Sequence, residues 1–203
     1  ADALLNGGDG GDGDIFVYTG GRAPSDVRRV RICQSIGTVP REAFADCRQL
    51  IEVEGHDKLK KIEEYTFLRC RSLRRLMKMG DVKEIGFNAF SGCYALIDLD
   101  FDKLEFIGNS SFLYCESLRS INLPSVRRVG DSAFHGCMAL TDAVFGEDYL
   151  ERIERRAFHI CLSLRRIAMP LKDGLIVEED AFNDCSNLLK VDIVGGIHRT
   201  ISS

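Results

Sequence analysis

No run in this 203-residue chain approaches the roughly 18 apolar residues that a membrane-spanning helix needs, so no membrane span is expected. The opening ADALLNGGDGGDGD lacks the basic and apolar segments of a secretory signal. Charge of one sign is also missing from the body. The formal net charge of −4 is carried by Asp2, Asp9, Asp12 and Asp14; the other 27 acidic residues balance 27 Lys and Arg. A neutral body offers no electrostatic attraction to nucleic acid or to an anionic membrane. Gly-x-Ser-x-Gly, phosphate-loop and paired-carboxylate signatures are absent as well, so neither an enzyme nor a cofactor is expected.

What the chain has instead is a period. Phe44, Phe67, Phe90, Phe112, Phe134, Phe158 and Phe182 each stand three residues before a Cys and six before a Leu, at spacings of 22–24 residues. A fixed period in that range marks a solenoid, in which each repeat buries its apolar face against its neighbours. Burying one Phe or Leu is worth about 1.5–3 kcal/mol, so a single repeat cannot offset its own chain entropy and only the stack is stable.

Seven of the eight cysteines (Cys47, Cys70, Cys93, Cys115, Cys137, Cys161 and Cys185) hold one equivalent position per repeat. Stacked equivalents point the same way into the core, which is poor geometry for disulfides between neighbours. The column therefore reads as buried, reduced thiols, and a reducing, cytoplasmic location follows as an expectation. Cys33 lies outside the column and is the thiol expected to react.

Within a repeat, Ala133, Phe134 and Cys137 sit at helical spacing, which predicts a short helix. Glu63, Asp131, Glu154 and Glu178 precede these segments, as acids do at helix N-termini. Leu118, Ile121 and Leu123, with their equivalents, predict a short strand after each helix, stacked in parallel from repeat to repeat. A further apolar pair, such as Leu59/Ile62 or Val126/Val129, closes each rung. The expected fold is an α/β repeat solenoid with parallel strands on one face and short helices on the other. Residues 1–13 form a flexible Gly/Asp-rich tail, 14–38 an N-terminal cap and half repeat, 39–193 seven repeats, and 194–203 an incomplete C-terminal cap.

Residues 107 to 124, IGNSSFLYCESLRSINLP, follow the order Ile-Gly-x-x-Ala-Phe-x-x-Cys-x-x-Leu-x-x-Ile-x-Leu-Pro. That order closely resembles the BspA-like, or Treponema pallidum type, leucine-rich repeat, and the likeness extends over residues 27 to 193. The stretches Tyr18 to Pro24 and Val194 to Ser203 also resemble a group of diatom leucine-rich-repeat proteins. The resemblance implies a leucine-rich-repeat solenoid whose strand-lined face serves protein contacts, and no catalytic residue comes with it. The function expected is thus a non-catalytic protein-interaction module binding a protein or peptide. The alternative is a structural, self-associating or surface-display repeat protein, since Val191, Ile193 and Ile201 leave the C-terminal edge apolar.

Other motifs are weaker. GGDGGDGD at 7–14 nearly matches one calcium-binding nonapeptide, but that motif works by stacking many copies. His135-Gly-Cys137 and His159-Ile-Cys161 could suggest zinc, yet residues two apart on a helix face different ways. His56 and His198 have no nucleophile or ligand pattern around them. The outward strand positions carry the candidate partner-binding residues: Arg74, Arg75, Met77, Asp98, Asp100, Arg119, Asn122, Asp142, Arg165 and Arg166. Basic rungs alternate there with apolar or acidic ones. Either each Arg covers its apolar neighbour and pairs with the adjoining acid, neutralising the face, or the pattern reads charges on a partner.

Overall fold

The computed structural model describes residues 15–170 and 172–194. The nonapeptide likeness at 7–14, the tail, His198, Ile201 and the remainder of 195–203 lie outside the described residues.

The anchor phenylalanines build the core. Ring follows ring at centroid distances of 5.0 Å for Phe44/Phe67, 5.2 Å for Phe90/Phe112, 5.1 Å for Phe112/Phe134 and 5.3 Å for Phe158/Phe182, with these planes within 9° of parallel. Isolated aromatic pairs prefer offset or edge-to-face contact. Here the spacing of about 4.8 Å between parallel strands dictates the stack. Tyr18 heads the column, 4.7 Å from Phe44, and its hydroxyl donates to the Gly21 carbonyl at 2.7 Å.

Beside each ring lies a thiol with a definite partner. Cys70 Sγ donates to the Phe44 carbonyl at 3.1 Å, Cys93 to Phe67 at 3.2 Å, Cys115 to Phe90 at 3.4 Å and Cys161 to Phe134 at 3.2 Å. No disulfide forms among the described cysteines, and burial pushes the Cys93 and Cys115 thiols well above their ordinary range.

The expected helices do not form. Each Phe segment is instead a run of tight turns in which the residues two before and two after Phe take positive φ: Ser132 at 55° and Gly136 at 72° around Phe134, Arg156 at 53° and Ile160 at 58° around Phe158. That alternation aims successive N–H groups in different directions. Ala133, His135 and Cys137 donate to carbonyls three residues back, whereas Ser132, Phe134 and Gly136 donate to Arg155, Ala157 and His159 in the next rung at 2.9, 2.7 and 2.9 Å. A helix would satisfy these groups within the rung and leave the rungs joined by side chains alone. The acids read as helix starters do a different job: Glu63, Glu154 and Glu178 accept the N–H groups of Arg41, Asp131 and Arg155 at 2.9, 3.1 and 3.1 Å.

The strands are β1 (Ile15–Tyr18), β2 (Arg29–Ile32), β3 (Thr38–Val39), β4 (Glu52–Glu54), β5 (Lys61–Ile62), β6 (Arg75–Met77), β7 (Glu84–Ile85), β8 (Phe106–Ile107), β9 (Ser120–Leu123), β10 (Arg128–Val129), β11 (Asp142–Phe145), β12 (Arg152–Ile153), β13 (Arg166–Pro170), β14 (Ile176–Val177) and β15 (Lys190–Val194). All pair in parallel, giving a β-solenoid of about seven turns. One line of strands follows the repeat Leu and runs β1-β2-β4-β6, lapses over residues 97–100 where the repeat shortens from 23 to 22 residues, and resumes as β9-β11-β13-β15. A second, seven-stranded line runs β3-β5-β7-β8-β10-β12-β14 without a break. The closing apolar pairs build it: Ile62, Ile85, Ile107, Val129 and Ile153 turn inward while their predecessors face out.

Candidate binding face

The two sheets handle charge differently. On the second sheet, ions are matched rung to rung. Lys83 meets Glu105 at 2.8 Å and Arg127 meets Glu151 at 2.9 Å. Lys61 meets Glu84 at 2.8 Å, Arg128 meets Glu154 at 2.6 Å, and Arg152 meets Glu178 at 3.0 Å. This sheet borders an open groove of about 730 Å³ with exposed Phe87 and Phe106 on its walls, and the Arg41, Lys61 and Arg128 cations of the groove are each engaged by a carboxylate.

On the first sheet the pairing is incomplete. Arg31 and Lys78 converge on Glu54 at 2.7 and 2.6 Å, and Arg166 and Lys190 on Asp192. Among the described residues, however, the side chains of Arg28, Arg74, Arg75, Arg119 and Arg165 have neither an ion pair nor a hydrogen bond, and all five are exposed. The expected pairing of Arg74 and Arg75 with Asp98 is not made: Asp98 and Asp100 lie exposed in the stretch where the strand line lapses. Self-neutralisation is therefore a property of the second sheet and only partly of the first.

The other candidate positions are distributed along this face. Met77 is half-buried opposite Glu54, Asn122 is exposed on β9 opposite Val144, and half-buried Asp142 lies between Ser120 and Arg166. Arg28 and Arg74 share a shallow hollow of about 460 Å³ with Ile51, Gln49 and Ser72. Gln49 and Ser72 escaped the sequence reading; the signal available was a polar residue just before the repeat Leu, repeated at Ser117, Ser163 and Asn187.

The turn face is distinct again. Tyr114, His135 and His159 form a row with ring separations of 5.4 and 4.9 Å, and burial together with the neighbouring His159 and Arg156 holds the His135 imidazole below its usual range. Cys137 and Cys161 turn their thiols to the Phe112 and Phe134 carbonyls, away from these imidazoles, so the four groups do not converge on a point. Buried His56 has its Nε2 3.0 Å from the Cys33 carbonyl. Among the described residues no group of three or more His, Cys, Asp or Glu is placed to hold a metal, and no helix is long and apolar enough to cross a membrane.

A family profile, the BspA type leucine rich repeat region, matches residues 24–141 and 105–203 in six copies. The chain belongs to the BspA-type leucine-rich-repeat family. Among solved structures, this BspA-type chain is similar to the leucine-rich repeat protein of T. pallidum, at 24% identity over 88% of this chain and 73% of that one, with a TM-score of 0.57. It is more loosely similar to a leucine rich cell surface protein from Faecalibacterium prausnitzii, at 17% identity over 84% and 80% of the two chains, TM-score 0.43. The pneumococcal vaccine antigen PcpA shares 13% identity over 83% and 68%, TM-score 0.49. At these identities the likeness concerns the fold alone. No curated protein matches the chain by sequence.

Proposed function

We propose that this solenoid is a non-catalytic interaction module that holds a protein or peptide on its first sheet, within a reducing compartment such as the cytosol. The observation that carries the reading is the set of exposed, unpartnered arginines on that sheet, set against a second sheet whose charges are matched internally. Unpaired surface cations contribute little to stability but discriminate among partners and speed encounter with acidic ones. The thiols at one position per repeat, buried in six of the seven repeats and half-buried at Cys185, support the compartment. The test is affinity capture from the native source with the wild-type chain and with Arg74→Glu/Arg75→Glu. Capture should fall while the melting temperature stays nearly constant; undiminished capture by the double variant would move the binding surface elsewhere.

A second reading, self-association through the C-terminal edge, has its own observation. Leu189, Val191 and Ile193 on and beside β15 are 87%, 52% and 57% exposed, and among the described residues nothing pairs with the outer edge of that strand. Exposed apolar edges template pairing with a second molecule. Sedimentation of the wild type against Val191→Glu/Ile193→Glu decides it: a concentration-dependent mass that the variant abolishes supports the edge, and a wild-type monomer at all concentrations rejects it.

A further inference from the structure

The column one residue beyond the repeat Leu is the most regular feature of the first sheet. Backbone N–H groups link it rung by rung: Ile51 donates to Arg28 at 2.7 Å, Arg74 to Ile51 at 2.8 Å, Ile97 to Arg74 at 3.4 Å, Arg119 to Ile97 at 3.1 Å, Thr141 to Arg119 at 2.8 Å and Arg165 to Thr141 at 2.9 Å. The ladder passes through Ile97, at the start of the stretch 97–100 where the strand line itself lapses, so the column keeps one register throughout. Its arginines occupy alternate rungs, about 9.6 Å apart given a strand spacing of about 4.8 Å. Between them Ile51, Ile97 and Thr141 are half-buried.

We propose that this column is a track for an acidic peptide in the polyproline II conformation, bearing a carboxylate at every third residue. The proposal rests on the interaction-module reading and names the partner chemistry for that face. A polyproline II chain repeats every three residues at about 3.1 Å each, so equivalent side chains recur about every 9.3 Å along one edge, close to the two-rung step. An extended strand cannot do this, because its residues three apart point to opposite sides. An acidic helix with carboxylates seven apart repeats at about 10.5 Å, and accumulates nearly 1 Å of mismatch at each step.

The rest of the surface agrees with such a ligand. A polyproline II backbone has no internal hydrogen bonds and leaves its carbonyls free to accept. Gln49 and Ser72, at the hollow between Arg28 and Arg74, can donate to them. The half-buried Ile51 and Ile97 meet the apolar residues between the acids. Glu52, Asp98 and Asp142 stand beside the uncharged rungs Ile51, Ile97 and Thr141, one position along. They repel a uniformly charged strand such as nucleic acid or a sulfated glycan, whereas a peptide with neutral residues between its acids avoids them.

The experiment is fluorescence anisotropy with a labelled peptide of four Glu-Pro-Pro units, titrated with the whole chain at low salt. Saturable binding is expected, weakened at least fivefold when the same four glutamates are grouped at one end. Arg74→Gln/Arg119→Gln, with an unchanged circular dichroism spectrum, should lose about tenfold, since each exposed contact is worth up to about fivefold. Lys83→Gln/Arg127→Gln on the second sheet, an equal charge change, should stay within about twofold of wild type. Equal binding of the grouped peptide, tighter binding of an acidic heptad helix or of an oligonucleotide of equal charge, or indifference to the Arg74/Arg119 change would each overturn the proposal. Failure of the peptide to bind, with native capture still lost on reversing Arg74 and Arg75, rejects this ligand and leaves the interaction face standing. Capture indifferent to that reversal rejects the face itself.

Discussion

Replacing Phe112 by Ala tests whether the stack behaves as a nearest-neighbour system. The ring is fully buried, 5.2 Å from Phe90 on one side and 5.1 Å from Phe134 on the other. Core Phe→Ala changes cost about 3–5 kcal/mol through lost transfer free energy and the cavity left behind. Backbone ladders hold the flanking rungs apart, so the cavity cannot collapse and the upper half of that range is expected. Phe182 offers the contrast. It is half-buried and stacks on Phe158 at 5.3 Å, with no second ring among the described residues, so the same change should cost roughly half as much. Phe112→Leu keeps most of the apolar volume and loses the ring contacts, for about 1–1.5 kcal/mol. Urea unfolding followed by circular dichroism measures the losses, because the chain has no Trp to report by fluorescence. Hydrogen exchange locates them: Phe112→Ala should loosen the rungs on both sides, and Phe182→Ala only the C-terminal ones. Equal losses at the two positions, or a loss at Phe112 spread evenly over all rungs, would refute the nearest-neighbour account.

Gly108→Ala should cost about 1–3 kcal/mol, because a Cβ there falls 2.7 Å from the Gly86 carbonyl carbon, which is backbone and cannot move aside; a melting temperature unchanged from wild type would show that the rungs can slide apart. Native thiol labelling should be fast at Cys33, whose pKa is held down by the hydrogen bond from Ser35 Oγ at 3.3 Å, and slow at buried Cys93. Ser35→Ala should raise the Cys33 pKa and slow its labelling near neutral pH, and an unchanged rate would remove that hydrogen bond from the account. Lys78 and Arg31 hold the Glu54 carboxyl below its ordinary range, Lys83 does so for Glu105, and Arg166 with Lys190 for Asp192. Carboxyls depressed in the folded state add stability above the unfolded carboxylate pKa of about 4, and that stability is lost as pH falls through their lower folded values. The melting temperature should therefore hold from neutrality to about pH 5 and then decline, less steeply in Glu105→Gln; a profile identical to wild type would show that this pair contributes nothing.

The repeat, its period, the buried thiols and the strand after every repeat Leu except Leu96 were legible because each is a periodic burial signal, and apolar side chains at fixed spacing report which atoms must leave water. The turn segment was misread for an equally physical reason. Ala133, Phe134 and Cys137 lie on one side of a helix, but they also lie on one side of an alternating turn, and apolar spacing does not separate the two. The discriminating signal is backbone handedness. Gly92, Gly136, Asp46 and Asp184 at the position two after Phe hint at it, but Ile160 and Tyr114 occupy the same position at φ 58° and 57° and mask the hint. The second sheet was missed because its strands are two residues long, too short for alternation to show. On the candidate face, the column of arginines was visible in the sequence, but whether each finds an acid depends on side-chain reach between rungs. Arg75 is in register with Glu52 yet not paired to it, whereas Arg31 reaches Glu54 at 2.7 Å.

That contrast bears on how the molecule divides its labour. The Phe and Cys columns and the inter-rung N–H ladder of the turns hold the rungs together from within, and the second sheet adds ion pairs between them. None of these contacts uses the unpaired first-sheet arginines. Exposed cations of that kind can be altered one at a time with little effect on the stack, because each is worth at most about 1 kcal/mol to stability. Binding follows the opposite rule: a ligand that spans several rungs sums their contributions, so the affinity depends on the two-rung spacing being kept over the whole length. The backbone bonds that Ile97 makes to Arg74 and Arg119 preserve that spacing where the strand pairing fails. A change there that disturbs the spacing between Arg74 and Arg119 should therefore weaken a long ligand far more than one that fits between Arg28 and Arg74; equal weakening of both in an anisotropy titration would refute the summed-rung account.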